Sequence, residues 1–227
     1  SGLRQKSFQS LITAGASATQ TWCASPTTIL RNTLNPAAII GPVWGAPDVL
    51  WAIQPGTWYG WPDFSAGMPL NLHRFKPPFK VQPQFLLATH PNAPPKPAAT
   101  FAVHSSADGF DFSHNRALGH VGQAFVAVFG GQAPTVGKVL HSVGAKVVRV
   151  NVDNGVVEEF AVSKGKINGP ASKIGSGGLE RPVAARFNPR GDALYIVDFG
   201  VMLQDKKGSH PQPGTGVLWR ITTNPLP

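Results

Sequence analysis

Short apolar runs broken by glycine, proline and asparagine recur along the chain, and their spacing predicts β-strands joined by tight turns. The run QAFVAVFG, which ends at Gly130, has a near-copy, DALYIVDFG, which ends at Gly200. A second pair, KVVRV at 146–150 and VLWRI at 217–221, repeats at nearly the same offset, and DVLWAI at 48–53 is an earlier relative of it. Two elements that recur at one offset indicate a repeated supersecondary unit.

Turn sequences between these runs predict hairpins. NPRG at residues 188–191 separates two apolar runs, and DNG at residues 153–155 lies between two others. An Asn-Gly pair flanked by apolar strands is a strong hairpin signal. Each unit is therefore predicted to be a meander of about four strands, which is the blade of a β-propeller. A β-sandwich also has many short strands and is the alternative all-β fold.

The length of the chain limits how many such units it holds. With 227 residues and a repeat of about 70, there is room for about three blades, whereas propellers close with about four to eight. We therefore expect a partial propeller, whose missing blades come from the same or another chain. Residues 41–227 are predicted to form C-terminal blades. Residues 1–40 show no sustained period and are predicted to be a divergent or truncated blade segment.

Composition narrows the classes of protein and partner. Gly 25 and Pro 22 exclude a helical bundle, because both residues disrupt helices. One cysteine excludes an internal disulfide framework. The formal charge is +9, yet charged residues make up only 14% and the basic ones are scattered, so we expect no nucleic-acid partner. No apolar run is long enough for a membrane-spanning helix, so no transmembrane segment is expected.

One stretch carries a family resemblance. Residues 47–63, PDVLWAIQPGTWYGWPD, resemble the soluble sugar dehydrogenases of the glucose/sorbosone dehydrogenase family, which depend on pyrroloquinoline quinone (PQQ). YGWPD at residues 59–63 is the most specific part. The further matches follow in the family's order: HSSADGFDF at 104–112, GQAFVA at 122–127, ERPVA at 180–184 and DALYIVD at 192–198. The resemblance covers about residues 41–222 and corresponds to the C-terminal half of the family.

This resemblance implies a six-bladed propeller in the periplasm or secreted, with PQQ and calcium as cofactors. The family oxidises a hydroxyl or hemiacetal of an aldose or of a sorbosone-like sugar and passes hydride to PQQ, from which an electron acceptor takes the electrons. Its histidine base belongs to the first half, so the catalytic residue of this chain is unknown. We expect the chain to be inactive alone.

Strand direction predicts where a site would lie. In an up-and-down blade, the start of the first strand and the end of the second lie on one face, where loops carry binding groups. The candidate PQQ-binding residues there are Arg4, Gln5, His104, Ser105, Arg181 and Asp198. SGLRQ at residues 1–5 resembles the family's Gly-x-Arg-Asn stretch that contacts the quinone, with Gln5 in place of Asn. Arginine offers a planar fork suited to the quinone's carboxylates.

The remaining site expectations concern the metal and the aromatic motif. Gly41 and Pro42 lie close to the place where the resemblance implies calcium bound by backbone carbonyls, which suit that ion. The three aromatic side chains of residues 58–61 are more typical of packing within a blade than of sugar stacking. Four histidines in polar or proline-rich stretches are predicted to be solvated: His73, His90, His141 and His210.

Structural alternatives stand beside these roles. Arg181 could pair with Asp198 and tie the blade together, His104 could be a hydrogen-bonded histidine of the sheet, and Asp198 could cap a turn. At the level of function, the alternative is a non-catalytic propeller that binds a protein or glycan partner. The proline-rich residues 91–97 are predicted to be a stiff connector between the first and second blades.

Overall fold

The computed structural model describes residues 11–14, 35, 43–131, 143–165, 168–205 and 207–223. This part of the chain is antiparallel β structure with almost no helix, as the apolar runs and breakers predict, so the all-β prediction is confirmed. Its helical elements are a 3-10 turn, His73–Phe75, and a one-turn helix, α1, Ala171–Ile174. None of the helices in the described ranges is long and apolar enough to cross a membrane.

Three sheets follow one another along the chain. The first contains β1 (Leu11–Ala14) and β2 (Pro47–Ala52), and β5 (Ala99–Val103) joins it after two short strands, β3 (Phe64–Ser65) and β4 (Met68–Pro69), that form a hairpin of their own. The order in the first sheet is β1-β2-β5. The second sheet is a four-stranded meander, in which each strand pairs with the next: β6 (Ala107–Phe112), β7 (Ala124–Val128), β8 (Lys146–Asn151) and β9 (Val156–Val162).

The third sheet has the order β10-β11-β14. Its strands are β10 (Pro182–Phe187), β11 (Ala193–Asp198) and β14 (Val217–Thr222). Between the last two, the chain forms a separate hairpin of β12 (Met202–Asp205) and β13 (Gly208–Pro211). The turn that joins β10 to β11 is the predicted NPRG sequence, closed by a bond of 2.8 Å from Gly191 N–H to the Asn188 carbonyl.

The sheets stack through two apolar cores that lie on opposite faces of the second sheet. One core joins Leu50 and Phe101 of the first sheet to Val126 and Val150 of the second. The other core joins the second sheet to the third, and its fully buried members are Phe125, Ala127, Val147, Ala185, Leu194 and Ile196. All five residues of β7 are buried for this reason. Each buried Val, Leu, Ile or Phe stabilises the fold by about 1.5–3 kcal/mol.

The repeat in the sequence corresponds to this stacking. β7 is an inner strand of the second sheet and β11 is the middle strand of the third, and β8 and β14 pair with them, each in the antiparallel sense. Phe125 of β7 pairs with Arg149 of β8, and one repeat later Tyr195 of β11 pairs with Arg220 of β14. The predicted hairpin at residues 153–155 joins β8 to β9. The repeated units are therefore successive antiparallel sheets.

One expectation about the N-terminal part differs from the structure, and another stays a prediction. β1 lies within residues 1–40 and pairs along its length with β2, while the assignment of residues 1–40 as a divergent or truncated blade segment stays a prediction. The proline-rich residues 91–97 lead into β5 of the first sheet and, contrary to the expectation, do not join the first sheet to the second. The connection between those two sheets is the short turn at residues 104–106.

Candidate functional site

Loops from successive sheets meet at the face where the strand directions predict a site. We call this the loop face; it consists of Asp48 and of residues 104–108, 129–131, 180–181 and 198–200. Within it, Gly130 N–H donates to the Ser105 carbonyl (2.7 Å) and Phe129 N–H donates to the Ser106 carbonyl (2.9 Å). Phe199 N–H donates to the Arg181 carbonyl (2.8 Å) in the next sheet. The structure therefore brings His104, Ser105, Arg181 and Asp198 to one face of the stack.

Arg181 joins the second sheet to the third at the loop face. Its side chain is buried, and Nη1 donates to the carbonyls of Phe129 (3.0 Å), Gly130 (3.2 Å) and Gly131 (3.5 Å). The guanidinium carbon lies 5.2 Å from the centroid of the Phe129 ring, within reach of a cation–π interaction. Its Nε is buried and has no hydrogen-bond partner among the described residues. Desolvation lowers the pKa of Arg181 below its usual value, and two neighbouring carboxylates oppose that effect.

Asp198 organises the start of β10 and the end of β11. Its carboxylate accepts from the backbone N–H of Glu180 (2.8 Å), Arg181 (2.8 Å) and Gly200 (3.0 Å), and from Nε1 of Trp219 (3.3 Å). The turn-capping alternative for this residue therefore matches its contacts. Its partner on Arg181 is the backbone N–H, while the guanidinium reaches across to the neighbouring sheet.

The turn at residues 104–106 has an unusual backbone. His104 and Ser106 have φ values of 60° and 49°, which are uncommon outside glycine and are associated with functional or strained sites. Ser105 is buried, and its hydroxyl donates to the Ala102 carbonyl. His104 is half-buried beside Gly131, where an added Cβ would come within 3.4 Å of the His104 carbonyl oxygen.

The loop face contains carboxylates that are not among the predicted site residues, and two of them, Asp48 and Asp108, lie on either side of Ser106. Asp48, on β2, is buried and accepts from Ser106 N–H at 2.6 Å. The Ser106 hydroxyl donates to Asp108 Oδ1 at 3.4 Å. Burial raises the pKa of Asp108 to about 6; the Ser106 hydrogen bond opposes the rise and the Asp48 charge adds to it. Asp48 and Asp108 lie within the motifs at residues 47–63 and 104–112 that carry the family resemblance. That position is the feature of the sequence from which they could have been chosen as candidates.

These contacts test whether the described residues fit a tricarboxylate quinone. Ser105 and Asp198 direct their side-chain oxygens at groups of the fold itself. Arg181 does so through Nη1, while its buried Nε has no partner among the described residues. His104 is the half-exposed candidate. The described part of the loop face therefore does not by itself form a cradle for PQQ. Arg4 and Gln5 lie outside the described residues, and quinone contact by any of the six candidates stays a prediction.

Calcium has no site built from side chains in the described ranges, where no group of three or more His, Cys, Asp or Glu residues could hold a metal ion. The predicted site at Gly41 and Pro42 depends on backbone carbonyls and lies outside the described residues. Calcium binding by this chain therefore stays a prediction.

A second polar cluster lies in the segment between β2 and β5. Asp63 is buried and accepts from Nε2 of His90 at 2.8 Å. The ring of Trp58 stacks on His90 with centroids 5.4 Å apart. The prediction that His90 is solvated is therefore wrong, because a contact across 27 residues of irregular chain places it in an aromatic cluster. His73 and His210 are exposed, as predicted, and His141 lies outside the described residues.

The aromatic residues of the YGWPD region divide between two environments. Tyr59 packs edge-on against Trp51 of β2 at 5.0 Å, and its hydroxyl donates to the Ala52 carbonyl at 3.1 Å. Trp58 is half-buried and packs against Phe64 at 5.5 Å. Trp61 differs, because 83% of it is exposed. Packing within the fold thus accounts for two of these three aromatic residues.

Comparison with known proteins gives neighbours among solved structures only. Neither protein-family models nor curated proteins match the chain. Two glucose dehydrogenase structures, each 19% identical with a TM-score of 0.42, cover 84% of this chain and 43% and 42% of their own. A calcium structure of a Trichoderma reesei carbohydrate-active enzyme of family AA12 is 17% identical, with a TM-score of 0.38, and covers 67% of this chain and 40% of its own. The chain thus spans less than half the length of each neighbour, and proposals about its function rest on its own residues.

Proposed function

We propose that this chain is part of a quinone-dependent sugar dehydrogenase with propeller architecture, in which its three sheets are successive blades. The resemblance at residues 47–63 and the family order of the later motifs support this assignment. The observation that carries it is the convergence of loops from successive sheets on one face. A ligand that touches several blades can bind at such a face. The reaction would oxidise a sugar hydroxyl or hemiacetal, with the quinone as hydride acceptor.

A second candidate function is a non-catalytic propeller that binds a protein or glycan partner. The contacts of Ser105, Arg181 and Asp198 favour it, because all three hold the loop face together. Under this function, those residues would stabilise the junction of two sheets, and no cofactor would bind there.

Titration with PQQ and calcium separates the two functions. For a dehydrogenase part, we expect the purified chain to bind PQQ, which changes the quinone absorbance and raises the melting temperature by mass action. His104→Asn should weaken this binding about tenfold or more, which is about 1.4 kcal/mol. Asparagine tolerates the left-handed backbone of His104.

His120→Asn is the matched control, because His120 is also a histidine with positive φ (51°) and lies outside the loop face. It should leave PQQ affinity unchanged. If the wild-type chain and a longer form that includes further blades both fail to bind PQQ, the dehydrogenase proposal is wrong. Binding that is equal in wild type and His104→Asn would remove His104 from the site.

A further inference from the structure

Among the described residues, the third sheet has three strands where the second has four. In the second sheet, β8 pairs with β7 on one side and with β9 on the other. β14 holds the position of β8 one repeat later and pairs with β11 on one side. No described strand pairs with its other side. Because the N–H and C=O groups of an antiparallel strand point alternately to its two sides, residues 217–221 present an open backbone edge.

This edge of β14 is also more exposed than the corresponding part of β8. Every residue of β8 is buried or half-buried, whereas Val217, Leu218 and Arg220 of β14 are exposed. The exposed fraction of Leu218 is 64%. An open strand edge is a template for pairing with another chain. A charged residue on an edge strand can also protect a protein against such pairing, so the role of Arg220 decides between the two.

The second sheet shows which side chain a strand on this edge would carry. Arg149 of β8 stands opposite Glu158 of β9, and their side chains form an ion pair at 2.8 Å. A second ion pair, from Lys146 to Glu159 at 2.7 Å, joins the same two strands. Arg220 of β14 corresponds to Arg149 in the repeat, is exposed, and has no ion pair with a described residue. The described part of the third sheet therefore has the arginine of this cross-strand pair and no carboxylate for it.

We propose that the open edge of β14 binds an extended strand of a different protein chain, which pairs antiparallel with β14 and places a carboxylate opposite Arg220. In strand addition of this kind, backbone hydrogen bonds give affinity and the side chains give specificity. Opposite charges that face each other across an antiparallel pair stabilise it, and like charges destabilise it. An arginine whose counterpart one repeat earlier is paired with an acid favours strand binding over protection of the edge.

The choice of a different chain as the occupant is argued from charge. All 11 acidic residues of the sequence lie in the described ranges, so the remaining segments of the chain cannot supply the carboxylate. A second copy fits poorly, because its Glu158 and Glu159 already pair with β8 and each copy carries a formal charge of +9. An acidic strand of another protein has the complementary charge. The inference rests on the repeat and on these contacts, and it does not depend on the proposed dehydrogenase.

A synthetic peptide of residues 155–163 is the probe, because it contains β9, which makes this pairing with β8 in the second sheet. It is added to the full ¹⁵N-labelled chain, and backbone amide shifts and hydrogen exchange are followed by NMR. We expect shifts and slower exchange at residues 217–221, while residues 146–151 keep their native signals. A peptide that carries Glu158→Lys and Glu159→Lys should bind about tenfold more weakly, because a like charge then stands opposite the arginine.

Arg220→Glu should reverse this preference, so that the lysine peptide binds about tenfold more tightly than the native one. Arg186→Glu is the matched control and should keep the wild-type preference. Arg186 is exposed on the same face of the third sheet, since both arginines pair with Tyr195, but it lies on β10 at the far edge. The inference is overturned if neither peptide changes residues 217–221, if the changes fall on residues 146–151 instead, or if Arg220→Glu keeps the wild-type preference. PQQ binding is measured separately, so either proposal can fail while the other stands.

Discussion

The carboxylates of Asp48 and Asp108 both contact Ser106, in the turn that joins the first sheet to the second. Ser106 connects them, through its N–H to Asp48 at 2.6 Å and its hydroxyl to Asp108 at 3.4 Å. Burial is the main reason why the pKa of Asp108 rises from 3.8 to about 6. A folded-state pKa above the unfolded value means that the native state holds more protons between those two values.

The ionisation of Asp108 should therefore lower the free energy of unfolding as the pH rises from about 4 to 6. Above about pH 6 its contribution should change little. Asp108→Asn removes the ionisation and should raise the free energy of unfolding near neutral pH by about 1–2 kcal/mol, after allowance for partial solvent screening. Urea unfolding of both proteins at acidic and neutral pH measures this. If the two proteins lose stability in parallel as the pH rises, Asp108 is not the group responsible.

Sequence patterns predict the position of a residue in the fold well where its contacts are with residues close in sequence. The DNG turn, the NPRG turn and the position of Arg181 before β10 all follow from patterns within a few residues. His90 shows the limit, because its partner Asp63 is 27 residues away in a segment without periodicity. The contacts of the Arg181 guanidinium show the same limit, because they are made with backbone carbonyls next to the second sheet, about 50 residues earlier in the chain.

At the scale of elements, the repeat relates strands whose faces meet different surroundings. Val147 on β8 corresponds to Leu218 on β14, one repeat later. Val147 is fully buried against the third sheet, whereas 64% of Leu218 is exposed. Sequence similarity between the two strands predicts the same pairing and register, but it cannot show which face is covered, because that depends on the presence of a following sheet.

This pair makes a matched test. Val147→Ala should lower the free energy of unfolding by about 2 kcal/mol, because it removes buried methyl groups and leaves a cavity. Leu218→Ala should change it by less than about 0.5 kcal/mol, as surface substitutions do. Chemical denaturation of the two variants beside wild type gives both values. A loss at Leu218 as large as that at Val147 would show that the outer face of the third sheet is covered in solution.

At the scale of the whole molecule, the three main sheets of the described residues pack in chain order, and the middle sheet has an apolar core on each face. β7 belongs to the middle sheet and is hydrogen-bonded to β6 on one side and to β8 on the other. β11 has the same position within the third sheet, between β10 and β14. Its burial pattern nevertheless includes an exposed residue, Val197, while every residue of β7 is buried.

Less buried parts of a protein open locally at a lower free energy than buried parts do. The backbone amides of β11 should therefore be less protected from hydrogen exchange than those of β7. We expect the amides of 125–127 to exchange at the rate set by global unfolding. The repeat-related amides of 195–197 should exchange faster by about tenfold or more, because the third sheet can open from its uncovered face without separating the other core. Native-state exchange followed by NMR compares the two strands within one sample. Equal protection in β7 and β11 would mean that the three sheets unfold as one unit, and that the apolar face of the third sheet does not weaken it.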